Sequence, residues 1–359
     1  MSEGDVRWLL SRGKQYALTH ASYLAGRAFC GPVLGTLVTN YRCNYACRMC
    51  DLHLRDREFR ERGLEEFGTP QMKQLLKDFR GLGVSGIGFT GGEPLLRKDI
   101  FELLAYTKEL GMISHLNTNG FFLDERNAGR VLEARVDSVN ISLDGARPGT
   151  HDAIRGHKGA FERAVEAAGR LNALRKKRGA SVRIKTVAVL QEENIGEVAG
   201  IVSLAADLGV DCVEFIPRQP FTSSSEGQIV PPAFLQKVDE AVDFLLGPAP
   251  KAVRIENSPS HIRLFRRSFR NEPSPVRCYA GYNSYAVDCY GEVYPCVPWY
   301  NWRRAVGNVR ERDLASLWYS AEYGKVRAEI RRCGGCYLNC QAELNILFNP
   351  FGAHGAKKR

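Results

Sequence analysis

No stretch of this sequence approaches the roughly 20 consecutive apolar residues that a membrane-spanning helix needs. The N-terminus also lacks the charged, apolar and cleavage regions of a secretory signal. No transmembrane segment is therefore expected, and a cytoplasmic location is. The eleven cysteines form an odd set, and in a reducing compartment thiols serve metal binding more readily than disulfides. Acidic side chains are the scarcer sign, 40 against 50 Lys and Arg, which gives a formal net charge of +10. The excess is diffuse. Arg175-Lys176-Lys177-Arg178 ends a helix-like stretch and Ala356-Lys357-Lys358-Arg359 ends the chain, and both read as solvated faces. Arg263, Arg266, Arg267 and Arg270, beside Phe265 and Phe269, are suited to a phosphate, a carboxylate-rich substrate or an acidic redox partner. No RNA-binding module accompanies the charge, so no nucleic acid is expected.

The 359 residues and 44% hydrophobic content suit one large domain and a small one. Strand-like runs fall at 34–39, 84–90, 112–118, 136–143, 181–190 and 210–216. Amphipathic helical segments fit between them at 70–82, 98–110, 124–134, 159–178 and 194–208. Six strand-then-helix units predict an α/β fold with a parallel sheet and helices outside. Right-handed connections curl such units in one sense, although periodicity alone does not separate an open barrel from a doubly wound sheet.

Chemistry concentrates at the strand ends. Cys43-Asn44-Tyr45-Ala46-Cys47-Arg48-Met49-Cys50 follows the first strand and offers three thiolates to one metal centre. A cubane iron–sulfur cluster takes four ligands, so three would leave one iron open. Structural zinc is the competing reading, with His53 as a possible fourth ligand. The second strand runs into Gly91-Gly92-Glu93-Pro94, where paired glycines let backbone approach a ligand and a carboxylate can hold an ammonium group.

The CxxxCxxC spacing followed by GGEP resembles the signature of the radical S-adenosylmethionine (SAM) superfamily. The resemblance implies a partial (β/α)6 TIM-like barrel and a SAM-binding [4Fe–4S] cluster on Cys43, Cys47 and Cys50. It also implies contact between the GGEP turn and the amino group of SAM. Asn117 and Asn119 end the third strand, and Ser142 and Asp144 the fourth; all four are candidates for SAM or substrate, with ordinary loop capping as the alternative. His151-Asp152-Ala153-Ile154-Arg155-Gly156 resembles the HDxxRG segment of peptide- and sugar-modifying members, and Arg155 is a candidate partner for the SAM carboxylate. Val187 and Val189 are candidates to flank adenine, and Phe215-Ile216-Pro217 to lie near the nucleoside.

A second cysteine array occupies the C-terminal part. Cys278 precedes Tyr290-Gly291-Glu292-Val293-Tyr294-Pro295-Cys296, a helix-like 313–330 follows, and Cys333, Cys336 and Cys340 close the array. A hairpin about Gly291 would bring Cys278 and Cys296 to one end. The region resembles the SPASM or shorter twitch domain, a small β-hairpin-plus-helix unit. It implies one auxiliary [4Fe–4S] cluster on Cys278, Cys296, Cys333 and Cys336, with Cys340 able to replace one of them. A zinc ribbon uses similar spacing. Cys30 and Cys212 read as packing; Cys289 reads as packing, an auxiliary ligand, or a thiol hydrogen donor to a substrate radical.

The expected organisation is an N-terminal helical extension (1–33), the barrel (34–218), a bridging segment with one helix about 232–246 (219–272), the auxiliary domain (273–345) and a basic tail (346–359). The resemblance implies an enzyme that cleaves SAM to a 5′-deoxyadenosyl radical and abstracts hydrogen from a substrate C–H. Oxidation, as dehydrogenation or cross-linking, or epimerisation would follow. Its expected partners are a flavodoxin- or ferredoxin-type reductant and a small-molecule, sugar or peptide substrate. Only some forty residues precede the first cysteine loop, which makes a leader-dependent peptide less favoured. An RNA- or lipid-modifying relative and a non-catalytic iron–sulfur or zinc adaptor are the alternatives. The apolar stretch from Tyr16 to Phe29 is expected to pack on the open side of the barrel, with peripheral membrane contact as its other possible use.

Overall fold

The computed structural model describes residues 3–61, 63–219, 231–248, 253–301 and 303–349. Six parallel strands form its centre: β1 (Leu34–Val38), β2 (Gly86–Thr90), β3 (Ile113–Thr118), β4 (Ser138–Ser142), β5 (Arg183–Leu190) and β6 (Cys212–Pro217). The helices up to β6 are α1 (Glu3–Ala25), α2 (Leu52–Glu61), α3 (Thr69–Gly81), α4 (Ile100–Glu109), α5 (Glu125–Glu133), α6 (Pro148–Arg155), α7 (Ala160–Arg178) and α8 (Val198–Asp207). Each expected strand is present within two residues at either end.

The sheet continues past both edges of this core. Strand β7 (Arg254–Ile255) extends β6, while β8 (Ser284–Val287), β9 (Glu292–Tyr294) and β10 (Gly307–Asn308) extend β1, giving the order β10-β9-β8-β1-β2-β3-β4-β5-β6-β7. The expected hairpin about Gly291 is the antiparallel pair β8 and β9, but β8 also pairs in parallel with β1, Leu34 opposite Ser284 and Thr36 opposite Ala286. The C-terminal hairpin is thus built into the barrel sheet.

The two faces of the sheet differ in chemistry. Leu37, Phe89, Leu116, Val139 and Ile184 share one register row and are fully buried or nearly so against the helices. The opposite face carries His115, Asn117, Asn140, Ser142, Lys185 and Glu214. Parallel strands covered on both sides read as continuous apolar runs; alternation here marks a polar concave face. Lys185 Nζ lies 3.0 Å from Glu214 Oε2 on that face.

Beyond β6 lie α9 (Pro232–Leu246), α10 (Pro259–Phe269), α11 (Val297–Asn301), α12 (Leu314–Trp318), α13 (Ala321–Ile330) and α14 (Asn339–Leu347). The single helix expected over 313–330 is two, because Ser320 Oγ accepts the Tyr323 N–H at 3.0 Å and starts a new N-terminus. Three arginines of the cluster on and just after α10 are paired within the fold, Arg266 and Arg270 with Asp239 and Arg267 with Glu272, while Arg263 is exposed and Phe265 and Phe269 are buried. Gln15 of helix α1 donates through Nε2 to Pro32 O at 3.2 Å, in the loop before β1. Tyr16 stacks on Phe348 at 4.9 Å and Tyr23 packs on Tyr279 at 4.5 Å, so the helix lies against the C-terminal part. Ala356–Arg359 lies outside the described residues. No described helix is long and apolar enough to cross a membrane.

Candidate functional site

The loop after β1 and the turn after β2 are laced together by backbone. Gly92 N–H donates to Asn40 O at 2.9 Å, Glu93 N–H to Arg42 O at 2.8 Å, and Asn40 Nδ2 to Glu93 O at 3.0 Å. A Cβ on Gly91 would sit 2.3 Å from Asn40 O, and one on Gly92 2.1 Å from Arg42 O. Only glycine permits that approach, and Gly91 also has φ 141°. The end of α6 docks on the same loop, with Arg48 N–H donating to Ile154 O at 3.0 Å and Gly156, at φ 62°, against Ala46 O.

These segments line an open cleft of about 180 Å3. Cys43, Cys47 and Cys50 line it together with Gly91, Gly92, Asn117, Asn119, Ser142 and Arg155, so these sequence-derived candidates meet in one place. Tyr45, Met49, Thr90 and Thr118 line it as well, and no sequence signal beyond membership of the cysteine loop and the strand ends pointed to them.

Five other candidates do not line the cleft. Glu93 is fully buried and its carboxylate is engaged within the fold: Oε1 accepts Leu95 N–H at 3.0 Å and Thr118 Oγ1 at 2.8 Å, and Oε2 accepts Asn119 N–H at 2.8 Å. Burial raises its pKa to about 7 against the pull of those hydrogen bonds. Pro94 is buried beside it. Asp144 is fully buried in an ion pair with Arg155, and its Oδ1 accepts the Val189 N–H at 2.7 Å. Phe215 belongs to the apolar core. Arg155 reaches both ways: beyond Asp144, its guanidinium lies 3.9 Å from Cys47 Sγ.

The donor set fits a thiol-ligated cluster. Burial pushes Cys43 up to about 11 and Cys50 to about 12, a cost that bound iron would offset by stabilising thiolates. Within the loop, Asn44 Nδ2 and Tyr45 Oη are buried without a hydrogen-bond partner, donors available to a sulfur-rich or anionic ligand. Among the described residues no three His, Cys, Asp or Glu side chains gather around a single-ion site; the side chain of His53 lies outside them.

The second cysteine array gathers in one region. Cys296 lies in the field of Cys278, Cys336 and Cys333, and Cys278 in that of Cys333. Cys340 lies beside Glu214 and Cys336 and lines a small cavity with Cys296. Cys289 is fully buried against Asp288, Glu66 and Arg97, outside both cysteine groups and not on the cleft. Cys212 is fully buried and Cys30 lies against Thr19.

Residues 37–205 match the model of the radical SAM superfamily, and residues 278–341 match SPASM, an iron-sulfur cluster-binding domain. The chain belongs to the radical SAM superfamily. As a radical SAM protein with a SPASM domain, it has SAM, a SAM-binding [4Fe–4S] cluster and auxiliary iron–sulfur chemistry as its cofactors. Two curated relatives come from Methanosarcina barkeri. An Fe-coproporphyrin III synthase is 28% identical over 77% of this chain and 71% of its own, and an AdoMet-dependent heme synthase is 27% identical over 82% and 85%. Among solved structures, Streptococcus suis SuiB superposes with a TM-score of 0.66 at 17% identity over 91% of this chain and 74% of SuiB. The SAM-bound structure of anSMEcpe gives 0.59 at 19% identity over 81% and 82%. Both likenesses are likenesses of fold.

Proposed function

We propose that this radical SAM enzyme oxidises its substrate after hydrogen abstraction, with Cys43, Cys47 and Cys50 holding the SAM-binding cluster and Cys278, Cys296, Cys333 and Cys336 the auxiliary one. When bound, the first cluster and SAM supply a 5′-deoxyadenosyl radical, the cofactors' own chemistry. The chain's share is placement. The Gly91-Gly92 backbone forms the wall on which the SAM amino group would rest, Arg155 is the cation available to its carboxylate, and Asn117, Asn119 and Ser142 present polar groups along the same cleft. Glu93 braces this wall from behind.

One observation carries the oxidative outcome. The β8–β9 hairpin that leads to Cys296 is hydrogen-bonded to β1, the strand that leads to Cys43, so Cys296 and the cysteine loop are tied to opposite ends of one strand pairing. A one-electron acceptor is thereby fixed relative to the place where a substrate radical would form. Epimerisation has less support, since Cys289, the thiol expected to return a hydrogen atom, is buried away from the cleft. A non-catalytic adaptor would not need the glycine-only fit of the GGEP turn.

The names of the relatives make an iron-bearing coproporphyrin the first substrate to try, and a flavodoxin- or ferredoxin-type protein remains the proposed reductant. Anaerobic turnover with SAM, dithionite and Fe-coproporphyrin III, followed by mass analysis of the tetrapyrrole, tests the reading. Side-chain oxidation in step with 5′-deoxyadenosine supports it. Return of the substrate with deuterium gained from heavy water and no change in oxidation level would favour epimerisation instead.

A further inference from the structure

The fold uses only part of the apolar stretch from Tyr16 to Phe29. Tyr16, His20 and Tyr23 face inward onto Tyr279, Tyr282 and Phe348, whereas Leu24 is 74% exposed and Phe29 41%. Nearby, Tyr319 is 52% exposed and Leu347 63%, and only Leu54 and Ile113 complete the set of exposed large hydrophobic side chains among the described residues. Scattered apolar residues on a surface need no explanation, but a concentration in one place does.

Specific bonds hold the group together. Phe29 N–H donates to Ser22 Oγ at 2.8 Å and folds the 26–29 turn back on the last turn of α1. Trp318 Nε1 donates to Cys30 O at 2.9 Å and brings Tyr319 alongside. Leu347 adjoins Phe348, which stacks on Tyr16. Two cations border the patch. The Arg27 guanidinium lies 4.9 Å from the Phe29 ring and that of Arg331 5.4 Å from the Tyr23 ring, with Arg331 also against Gly26. Neither arginine has an ion-pair partner among the described residues, in contrast to Arg266, Arg270, Arg303 and Arg304.

We propose that the end of α1, the 26–29 turn and Tyr319 form a docking face for an anionic bilayer surface. Leu24, Phe29 and Tyr319 enter the boundary between headgroups and acyl chains, and Arg27 and Arg331 meet lipid phosphates. Charge complementarity decides the occupant. Exposed apolar side chains rimmed by unpaired arginines match the interfacial arrangement in which apolar burial and attraction to acidic lipid add, and the chain as a whole is cationic at +10. The face is formed by α1 and the C-terminal region, apart from the cleft.

Co-sedimentation of the cluster-loaded chain with vesicles tests the assignment, using phosphatidylcholine alone and phosphatidylcholine with one quarter phosphatidylglycerol. The expected result is binding to the anionic vesicles that falls as salt rises. The variant Leu24→Ser with Phe29→Ser should weaken it at least about tenfold, given the apolar surface removed, and Arg27→Ala or Arg331→Ala roughly fivefold each. Unchanged iron content in the variants shows that the fold survives. Three results would overturn the proposal: no binding of the parent chain to anionic vesicles, equal binding by the variants, or a dimer on size-exclusion chromatography that the Leu24→Ser with Phe29→Ser variant dissociates, which would place a second copy on the face.

Discussion

The backbone N–H of Asn119 donates to Glu93 Oε2 at 2.8 Å, so the GGEP carboxylate pins the end of β3 to the end of β2. With Thr118 Oγ1 and Leu95 N–H on the other oxygen, Glu93 satisfies three donors in the interior. Removing it strands them, and each buried unsatisfied group costs about 1–3 kcal/mol. Glu93→Ala should therefore lower the melting temperature of the apo chain and abolish SAM binding together. Glu93→Gln, which keeps the shape and one acceptor, should keep more of both. Thermal unfolding and equilibrium SAM binding on the same samples check this; full stability with lost binding in Glu93→Ala would instead put the carboxylate on the ligand.

Glycine at 91 and 92 is required by space. Gly91→Ala or Gly92→Ala would drive a Cβ to within 2.3 or 2.1 Å of a carbonyl oxygen in the cysteine loop, so the two loops must part. Misplacement near 1 Å can cost about 100-fold in rate. The 5′-deoxyadenosine yield of either variant should fall by at least about that much, with far-ultraviolet circular dichroism little changed.

Asp288 supplies a pH test independent of SAM. Its carboxylate is fully buried and accepts Tyr41 Oη at 2.6 Å and the Tyr290 and Glu292 N–H groups at 2.9 Å. Burial, opposed by the Tyr41 bond and aided by Glu292, raises its pKa from 3.8 to about 6. A carboxyl that holds its proton more tightly when folded loses stability as pH rises between the unfolded and folded values. The contribution of Asp288 should thus decline from about pH 4 to about pH 6. Asp288→Asn should remove that decline, so the stability difference between variant and parent should move in favour of the variant across this window, by up to about 3 kcal/mol. Denaturant melts of both proteins at stepped pH values give the comparison.

Much of this was legible beforehand, for identifiable reasons. The six core strands announce themselves as short β-rich runs that alternate with amphipathic helical segments; the cysteine loop and GGEP follow from spacing alone. Chain pattern could not show which side chains turn inward. Glu93 and Asp144 look like ligand groups in sequence because both sit at strand ends; the buried partners that each also holds, three donors for Glu93 and Arg155 for Asp144, leave no sequence signal. The parallel pairing of β8 with β1 joins residues some 250 positions apart and leaves no local trace. The packing of α1 on Tyr279 and Phe348 was missed for the same reason.

Iron content sorts the second array. Cys278, Cys296, Cys333 and Cys336 share one electrostatic neighbourhood; Cys340 lies beside Cys336 and Cys296 too, but the Glu214 carboxylate next to it disfavours a thiolate there. Cys336→Ala should lose about four irons per chain, one cubane's worth, and Cys340→Ala should lose none. Loss of the same number from Cys340→Ala would move that thiol into the ligand set.

The most direct test of the whole account is anaerobic reconstitution with iron and sulfide, reduction by dithionite with SAM present, and quantitation of 5′-deoxyadenosine. The parent chain should form it and Cys47→Ala should not. A fully loaded, reducible protein that leaves SAM intact, with Fe-coproporphyrin III present or absent, would contradict the assignment of the cleft.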